Sequence, residues 1–215
     1  MSQIFTPSPK HCADKQGLIT INKRYKKLFF AFSSSLSLLL LLILLLWLIL
    51  HPAKPQFSLK QLDIYQLNLI SSPSHLLNSS IQLTLLSKNP NKKVGVYYDQ
   101  LQAYAAYKGQ QITVETSLPP FYQDHEDTNL LTASLVGTGL PVAPSFGYEV
   151  GRDQTAGKLT LNLKVNGKLR WKVGTWVSGR YLFNVNCVAV VVLEPAPPIS
   201  GPLSSRQATH CSTSI

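Results

Sequence analysis

Three regimes of apolar and polar positions divide this chain. In the first, from Leu28 to Leu50, 23 consecutive residues carry no charge; leucine dominates, and Ser33, Ser34, Ser35 and Ser37 are the polar interruptions. As a helix the run is about 34 Å long, enough for a hydrocarbon core of roughly 30 Å. The core helix of a soluble protein seldom goes so far without a charged position, so the pattern predicts a transmembrane helix over 28–50, with Trp47 at the interfacial level. A cleaved signal peptide is the rival. Its apolar region would run only about 7–15 residues and end at small residues. Here the exit reads His51-Pro52-Ala53-Lys54-Pro55, and the expectation is an uncleaved signal-anchor.

The second regime follows a linker over 51–56 and has the period of strands. Ile81-Gln82-Leu83-Thr84-Leu85 alternates apolar and polar positions, and so does Leu159-Thr160-Leu161-Asn162-Leu163-Lys164-Val165. Asn166-Gly167 comes next, then Lys168-Leu169-Arg170-Trp171-Lys172-Val173, which predicts a hairpin with a type I′ turn. Further strands are predicted at Phe57–Ile70, Val94–Tyr107, Ile112–Ser117, Leu130–Val136 and Leu182–Leu193. The uninterrupted apolar stretch Cys187–Leu193 is too short for a second span. No segment beyond the first regime has a sustained helical period. An all-β domain over 57–194, an antiparallel β-sandwich, follows from this pattern. The third regime, 195–215, opens on Pro195-Ala196-Pro197-Pro198, turns Ser- and Thr-rich, and is predicted to be disordered. It lacks the hydrophobic stretch of a glycolipid-anchor signal.

Charge sharpens this division. The chain has 215 residues, 14% of them charged, and a net charge of +10. Soluble domains average about 25% charged residues; the uncharged span accounts for part of the deficit. Residues 1–27 hold Lys10, Lys15, Lys23, Arg24, Lys26 and Lys27 against Asp14, half of the net charge. By the positive-inside rule this basic arm is cytoplasmic and the sandwich lies across the membrane. Lys23, Arg24, Lys26 and Lys27 are expected to contact anionic headgroups, at about 1 kcal/mol each. The remaining basic excess is spread thinly, without helix-turn-helix, zinc-finger spacing or basic-aromatic interleaving, which argues against nucleic acid.

Little in the sequence carries chemistry. Catalysis needs a nucleophile, a base and an orienting group brought together. Of His11, His51, His75, His125 and His210, only His125 has dense polar company, in Asp124-His125-Glu126-Asp127. Four consecutive side chains in a loop rarely converge on one ion, so this reads as a solvated acidic loop. Gly137-Thr138-Gly139 lacks the Gly-Lys of a phosphate loop and reads as a bend or bulge. No catalytic, metal or cofactor residue is predicted, and the protein is expected not to be an enzyme. Cys12 faces the reducing cytosol. Cys187 and Cys211 face an oxidising space and are a candidate disulfide, the alternative being a buried strand thiol and a separate tail thiol. Asn78-Ser79-Ser80 is the single N-x-S/T sequon, which makes Asn78 a glycosylation candidate.

Three segments carry a family resemblance. They are Asn89-Pro90-Asn91-Lys92-Lys93-Val94-Gly95-Val96-Tyr97-Tyr98-Asp99, then Pro119-Pro120-Phe121-Tyr122-Gln123, then Arg170-Trp171-Lys172-Val173-Gly174-Thr175-Trp176 running on to Val185-Asn186-Cys187. With the N-terminal span, their order resembles the plant harpin-induced-like, or NHL disease-resistance-like, family with its late embryogenesis abundant group 2 domain. Read physically, Asn89-Pro90-Asn91 fixes a turn, and Gly95 permits a bulge or close approach. Tyr97 and Tyr98 place one ring on each face of their strand, and Trp171 and Trp176 are candidates for core anchors. The resemblance implies an immunoglobulin- or fibronectin III-like sandwich outside a plasma-membrane anchor. It also implies a role in defence, hypersensitive-response or stress signalling, without catalysis, in contact with a protein or cell-wall partner. The alternative function is a module that binds a lipid or other apolar ligand between its sheets.

Overall fold

The structure, a computed structural model, describes residues 15–50, 52–70, 75–192, 203–205 and 209–215. Cys12, His11, Lys10 and Asp14 of the basic arm, and 195–202 and 206–208 of the tail, lie outside the described residues. Two compact units, 1–51 and 52–215, make up the chain. In the first, α1 runs over Lys15–Leu50. Among the described residues it is the one helix long and apolar enough to cross a membrane. It begins well before Leu28, so Lys23, Arg24, Lys26 and Lys27 stand on helix, all exposed.

The second unit is built of strands β1 (Gln56–Ile70), β2 (Leu76–Lys88), β3 (Gly95–Tyr107), β4 (Gln110–Gln111), β5 (Thr116–Leu118), β6 (Phe121–Gln123) and β7 (Thr128–Pro141). Helix α2 (Phe146–Thr155) comes next, then β8 (Lys158–Val173), β9 (Trp176–Val177), β10 (Tyr181–Val192), β11 (Leu203–Ser205), β12 (Thr209–His210) and β13 (Ser212–Ser214). One sheet has the order β11-β1-β2-β7 with β12 also on β1; the other has the order β13-β10-β8-β3-β4, with β5 and β6 on β3 and β9 on β8. Every pairing is antiparallel. The two sheets share one core, in which Phe57 of β1 meets Tyr98 of β3 and Phe183 of β10 at ring-centroid distances of 6.2 and 6.0 Å.

Bulges explain the phase of the apolar residues. Along β1 the buried positions are Phe57, Leu59, Leu62 and Ile64, a break in alternation at Lys60–Gln61. The pairing with β2 shifts register at that point, so an extra residue turns the strand and returns Leu62 to the core. In β3 the same device lies at Asp99: Tyr98 and Leu101 both face inward across a shift between Tyr98 and Gln100. The Gly137-Thr138-Gly139 segment is likewise a bulge of β7, opposite the shift between Leu77 and Ser79.

Several expectations are corrected. Asn166-Gly167 is not a turn; β8 passes straight through it and pairs with β3 on one side and β10 on the other. Gly167 faces the core, where a β-carbon would collide with the carbonyl oxygen of Gln100 and lie 2.6 Å from Cε1 of Phe183. The predicted strand Ile112–Ser117 holds strand only from Thr116. Ile112 N–H donates to Ala105 of one sheet and Val114 N–H to Val136 of the other, so residues 112–115 bridge the sheets before β5 joins β3. Residues 146–155 form a helix that sequence periodicity does not suggest. Its apolar face is the single pair Phe146 and Val150, and two glycines dilute its propensity. It is held by tertiary contacts: Tyr107 Oη donates to Asp153 at 2.7 Å, and Lys108 pairs with the same carboxylate at 3.1 Å. In the tail, 203–205, 209–210 and 212–214 are strands on the edges of both sheets. Cys211, between β12 and β13, is bonded to Cys187 of β10 across 4.3 Å of Cα separation, and its N–H donates to Phe57 O.

Candidate functional site

The start of β1, the 89–94 loop, the 124–127 loop and the β8–β9 turn lie at one end of the sandwich, as the pairs Gln56 with Lys88, Lys88 with Thr128, and Gly95 with Lys172 require. Most of the family-motif residues collect here. Asn89 is fully buried, its Nδ2 donating to Val94 O at 2.7 Å and Asp124 O at 2.9 Å. Its Oδ1 accepts from Asn91 N–H and from Asn91 Nδ2. Asn91 in turn closes a two-way bond with the chain leaving the helix: Nδ2 donates to Ala53 O at 2.8 Å and Oδ1 accepts from Ala53 N–H at 2.7 Å. Pro90 sits between the two amides, so the expected turn is a buried polar clamp joining three loops. Beneath it Gln123 is fully buried, accepting from Ser87 Oγ and Tyr98 Oη and donating to Ser87 O and Asp127 O. Burial drives the Tyr98 phenol well above its usual range. Phe121, after Pro120, stacks on Tyr98 at 4.5 Å.

On the outer face the same strands build an aromatic-cation row. Tyr97 and Tyr122 rings lie 4.6 Å apart, and Lys172 Nζ is 4.8 Å from the Tyr122 ring and 5.6 Å from Tyr97. Gly95 makes this possible: a β-carbon there would collide with the Tyr122 hydroxyl and lie 2.8 Å from its ring. Arg170 stacks on Tyr97 at 5.3 Å and forks onto Asp99 with Nε at 2.8 Å and Nη2 at 2.6 Å; Arg180 adds a bond at 3.2 Å. The Arg170 fork, then Arg180, holds the Asp99 carboxyl below the usual carboxylate range. Tyr122 Oη donates to Asp124, whose pKa is lowered by the His125 N–H and then the His125 ring. An open groove of about 460 Å³ lies among Lys92, Lys93, Gly95, Tyr122, Asp124, His125, Lys172 and Gly174.

The two tryptophans part company. Trp171 is 6% exposed and anchors the core, whereas Trp176, opposite Val173 across the Gly174 turn, is 62% exposed on the β8–β9 hairpin, because it lies past Trp171, the last buried residue of β8. Asn186 lies away from this end, exposed on β10 and paired with Lys164. Asn78 is in strand β2, half-buried, with Oδ1 accepting from Gly139 N–H at 2.8 Å. Asp124, His125, Glu126 and Asp127 are all exposed, and among the described residues no His, Cys, Asp and Glu side chains cluster in a way that could hold a metal. Sequence reasoning did not single out Gln123, Arg180 or the pairing role of Asp99. A lone polar residue at a strand end gives no sign of being buried, and Arg180 and Asp99 are 81 residues apart.

Fold and site together define an apolar-helix protein with a two-sheet β-domain whose one end is knitted by asparagine and glutamine. Residues 84–188 match the family model described as late embryogenesis abundant protein. The chain is 64% identical over its whole length to NDR1/HIN1-like protein 26 of Arabidopsis thaliana, of which it covers 100%. It is 41% identical to NDR1/HIN1-like protein 1 and 42% identical to NDR1/HIN1-like protein 12 of the same plant, over 79% and 68% of this chain and 81% and 69% of those proteins. The chain belongs to the NDR1/HIN1-like family with a late embryogenesis abundant group 2 domain.

Proposed function

We propose that this is a non-enzymatic, single-pass plasma-membrane protein that acts in plant defence or stress signalling through its β-domain. The observation that carries the reading is the full-length likeness to NDR1/HIN1-like proteins on a chain whose first element is long and apolar enough to span a bilayer. The N-terminus is cytoplasmic and the sandwich, of immunoglobulin or fibronectin III type, lies outside. The basic residues before the span and the Cys187–Cys211 disulfide both favour that orientation, since disulfides persist in oxidising compartments. Lys23, Arg24, Lys26 and Lys27 sit on anionic lipid of the inner leaflet, Asn78 carries glycan, and a protein or cell-wall component is the partner outside. An apolar ligand between the sheets is less favoured, because Phe57, Tyr98 and Phe183 fill the middle of that space.

Proximity labelling from each terminus in intact plant cells, before and after elicitor treatment, tests the role. Immune- or wall-associated neighbours are expected, and their absence at both ends sinks it. A mass shift on amidase treatment, lost in Asn78→Gln, tests the orientation independently.

A further inference from the structure

Lys92 and Lys93 stand on the loop that Asn89 and Asn91 pin, and Lys172 reaches the same groove from β8. No carboxylate forms an ion pair with any of the three among the described residues. The one acid lining the groove, Asp124, is already engaged by Tyr122 Oη, the His125 ring and the His125 N–H. The groove lining therefore carries a net positive charge, three lysines against one carboxylate. Exposed Tyr122 lines it, and exposed Trp176 stands on the β8–β9 hairpin at the same end of the sandwich.

Its place along the chain points to an occupant. Asn91 is bonded in both directions to Ala53, and Ala53 is three residues past Leu50, the last residue of α1. Three residues reach roughly 10 Å when fully extended. Whatever orientation the domain takes about that joint, the lysine loop is tethered to the end of α1 by that length of chain. Lysine with tyrosine and tryptophan is the combination that suits a headgroup layer, where ammonium groups meet phosphate and amphipathic rings sit at the interface.

We infer that this end of the sandwich is a docking surface for the phosphate-bearing headgroups of the membrane that its own helix crosses, with Lys92, Lys93 and Lys172 on phosphate and Trp176 at the interface. The inference rests on the single-span reading proposed above. Docking holds the opposite end of the domain outward and fixes which surface a partner meets.

The test reconstitutes the full chain in nanodiscs of phosphatidylcholine, alone or enriched in phosphatidic acid, and follows lysine acylation by peptide mass. Lys92, Lys93 and Lys172 are expected to react about fivefold more slowly in the anionic discs. Lys158, exposed at the far end of β8, serves as the unchanged reference. Lys172→Glu, a surface exchange, should restore part of the reactivity of Lys92 and Lys93. Equal reactivity in both discs and in detergent, while the chain stays with the discs, overturns the docking and leaves the anchor intact. A chain that does not partition with discs overturns the anchor and the docking with it. Protection by soluble polygalacturonate and not by lipid overturns the membrane in favour of an acidic glycan.

Discussion

Gly167 on β8 lies directly opposite Phe183 on β10, and its missing side chain is the space into which the Phe183 ring folds. The ring then lies 6.0 Å from Phe57 and 5.7 Å from Tyr98, at the centre of the core. A methyl group on Gly167 meets the Gln100 carbonyl as well as the ring, and the carbonyl is backbone that pairing holds in place. Gly167→Ala should therefore cost about 1–3 kcal/mol, more than the few tenths gained from a stiffer unfolded chain. Thermal unfolding of the detergent-solubilised chain, followed by Trp fluorescence, checks this. In the double variant with Phe183→Leu the two losses should sum to less than their separate values, since the smaller side chain yields to the methyl. An unchanged midpoint for Gly167→Ala would show that the close approach does not exist.

The same residue explains what the sequence could tell. Asn-Gly between two apolar-polar runs is the strongest short hairpin signal, yet the phase of the runs speaks against a turn here. Residues facing across a two-residue hairpin share a face, so Val165 would oppose Lys168, and Lys164 would oppose Leu169, mixing apolar and charged groups. Without a turn, Leu159 to Trp171 keeps every odd position inward, which is what β8 does. The long strands β1, β2, β3, β7 and β10 were legible because their apolar faces repeat over many residues. Helix α2 and the tail strands were not, since their order comes from distant partners: Tyr107 and Lys108 for the helix, Cys187 and β1 for the tail. At the candidate site the motif residues could be named, but Asn91 gave no hint of reaching Ala53, 38 positions away.

Acid should act through Asp99. Its carboxyl is held below the ordinary range by the Arg170 fork and then by Arg180, and its side chain is 18% exposed. A folded-state pKa below the unfolded value of about 3.9 means that the stabilisation is complete above that pH. It is lost as pH falls through the lower, folded value. Asp99→Asn should cost about 1–2 kcal/mol at neutral pH. Between pH 5 and about pH 3, its midpoint should fall less than that of the wild type. Asp153, lowered by Tyr107 and then Lys108, leaves the variant a residual acid slope. Parallel acid limbs for the two proteins would refute the assignment.

The disulfide joins the tail to both sheets. β12 extends one sheet at β1, β13 extends the other at β10, and Cys211 stands between them bonded to Cys187, 24 residues away in sequence. For a loop of that length the bond is worth about 3 kcal/mol. Cys211→Ser, or mild thiol treatment, should lower stability by that order. It should also raise hydrogen exchange at 209–214 and at the edge residues Ser58, Leu59 and Asn184–Asn186 before the rest of the sandwich opens. If 209–214 exchange equally fast with the bond intact, the staple does not order the tail.

Asn91 offers a separate test of the end that faces the linker. Its amide satisfies both backbone groups of Ala53 and one carbonyl of Asn89 while only 8% exposed. Asn91→Asp preserves the shape and the Oδ1 acceptor but removes the Nδ2 donor, so Ala53 O and Asn89 Oδ1 lose a partner and a carboxylate is brought beside them. Asn91→Ala removes both bonds and leaves Ala53 N–H open to water at a largely exposed position. Both variants should lose stability, the alanine by about 1–2 kcal/mol and the aspartate by about 2–3 kcal/mol, because a buried carboxylate whose second oxygen has no donor and faces two acceptors costs more than a missing amide. The aspartate should recover on acidification toward about pH 4, as its carboxyl takes a proton and regains a donor. Hydrogen exchange at Ala53 should rise in both variants while that of β8 stays low. An aspartate variant as stable as the wild type at neutral pH would mean that the clamp to Ala53 is not formed.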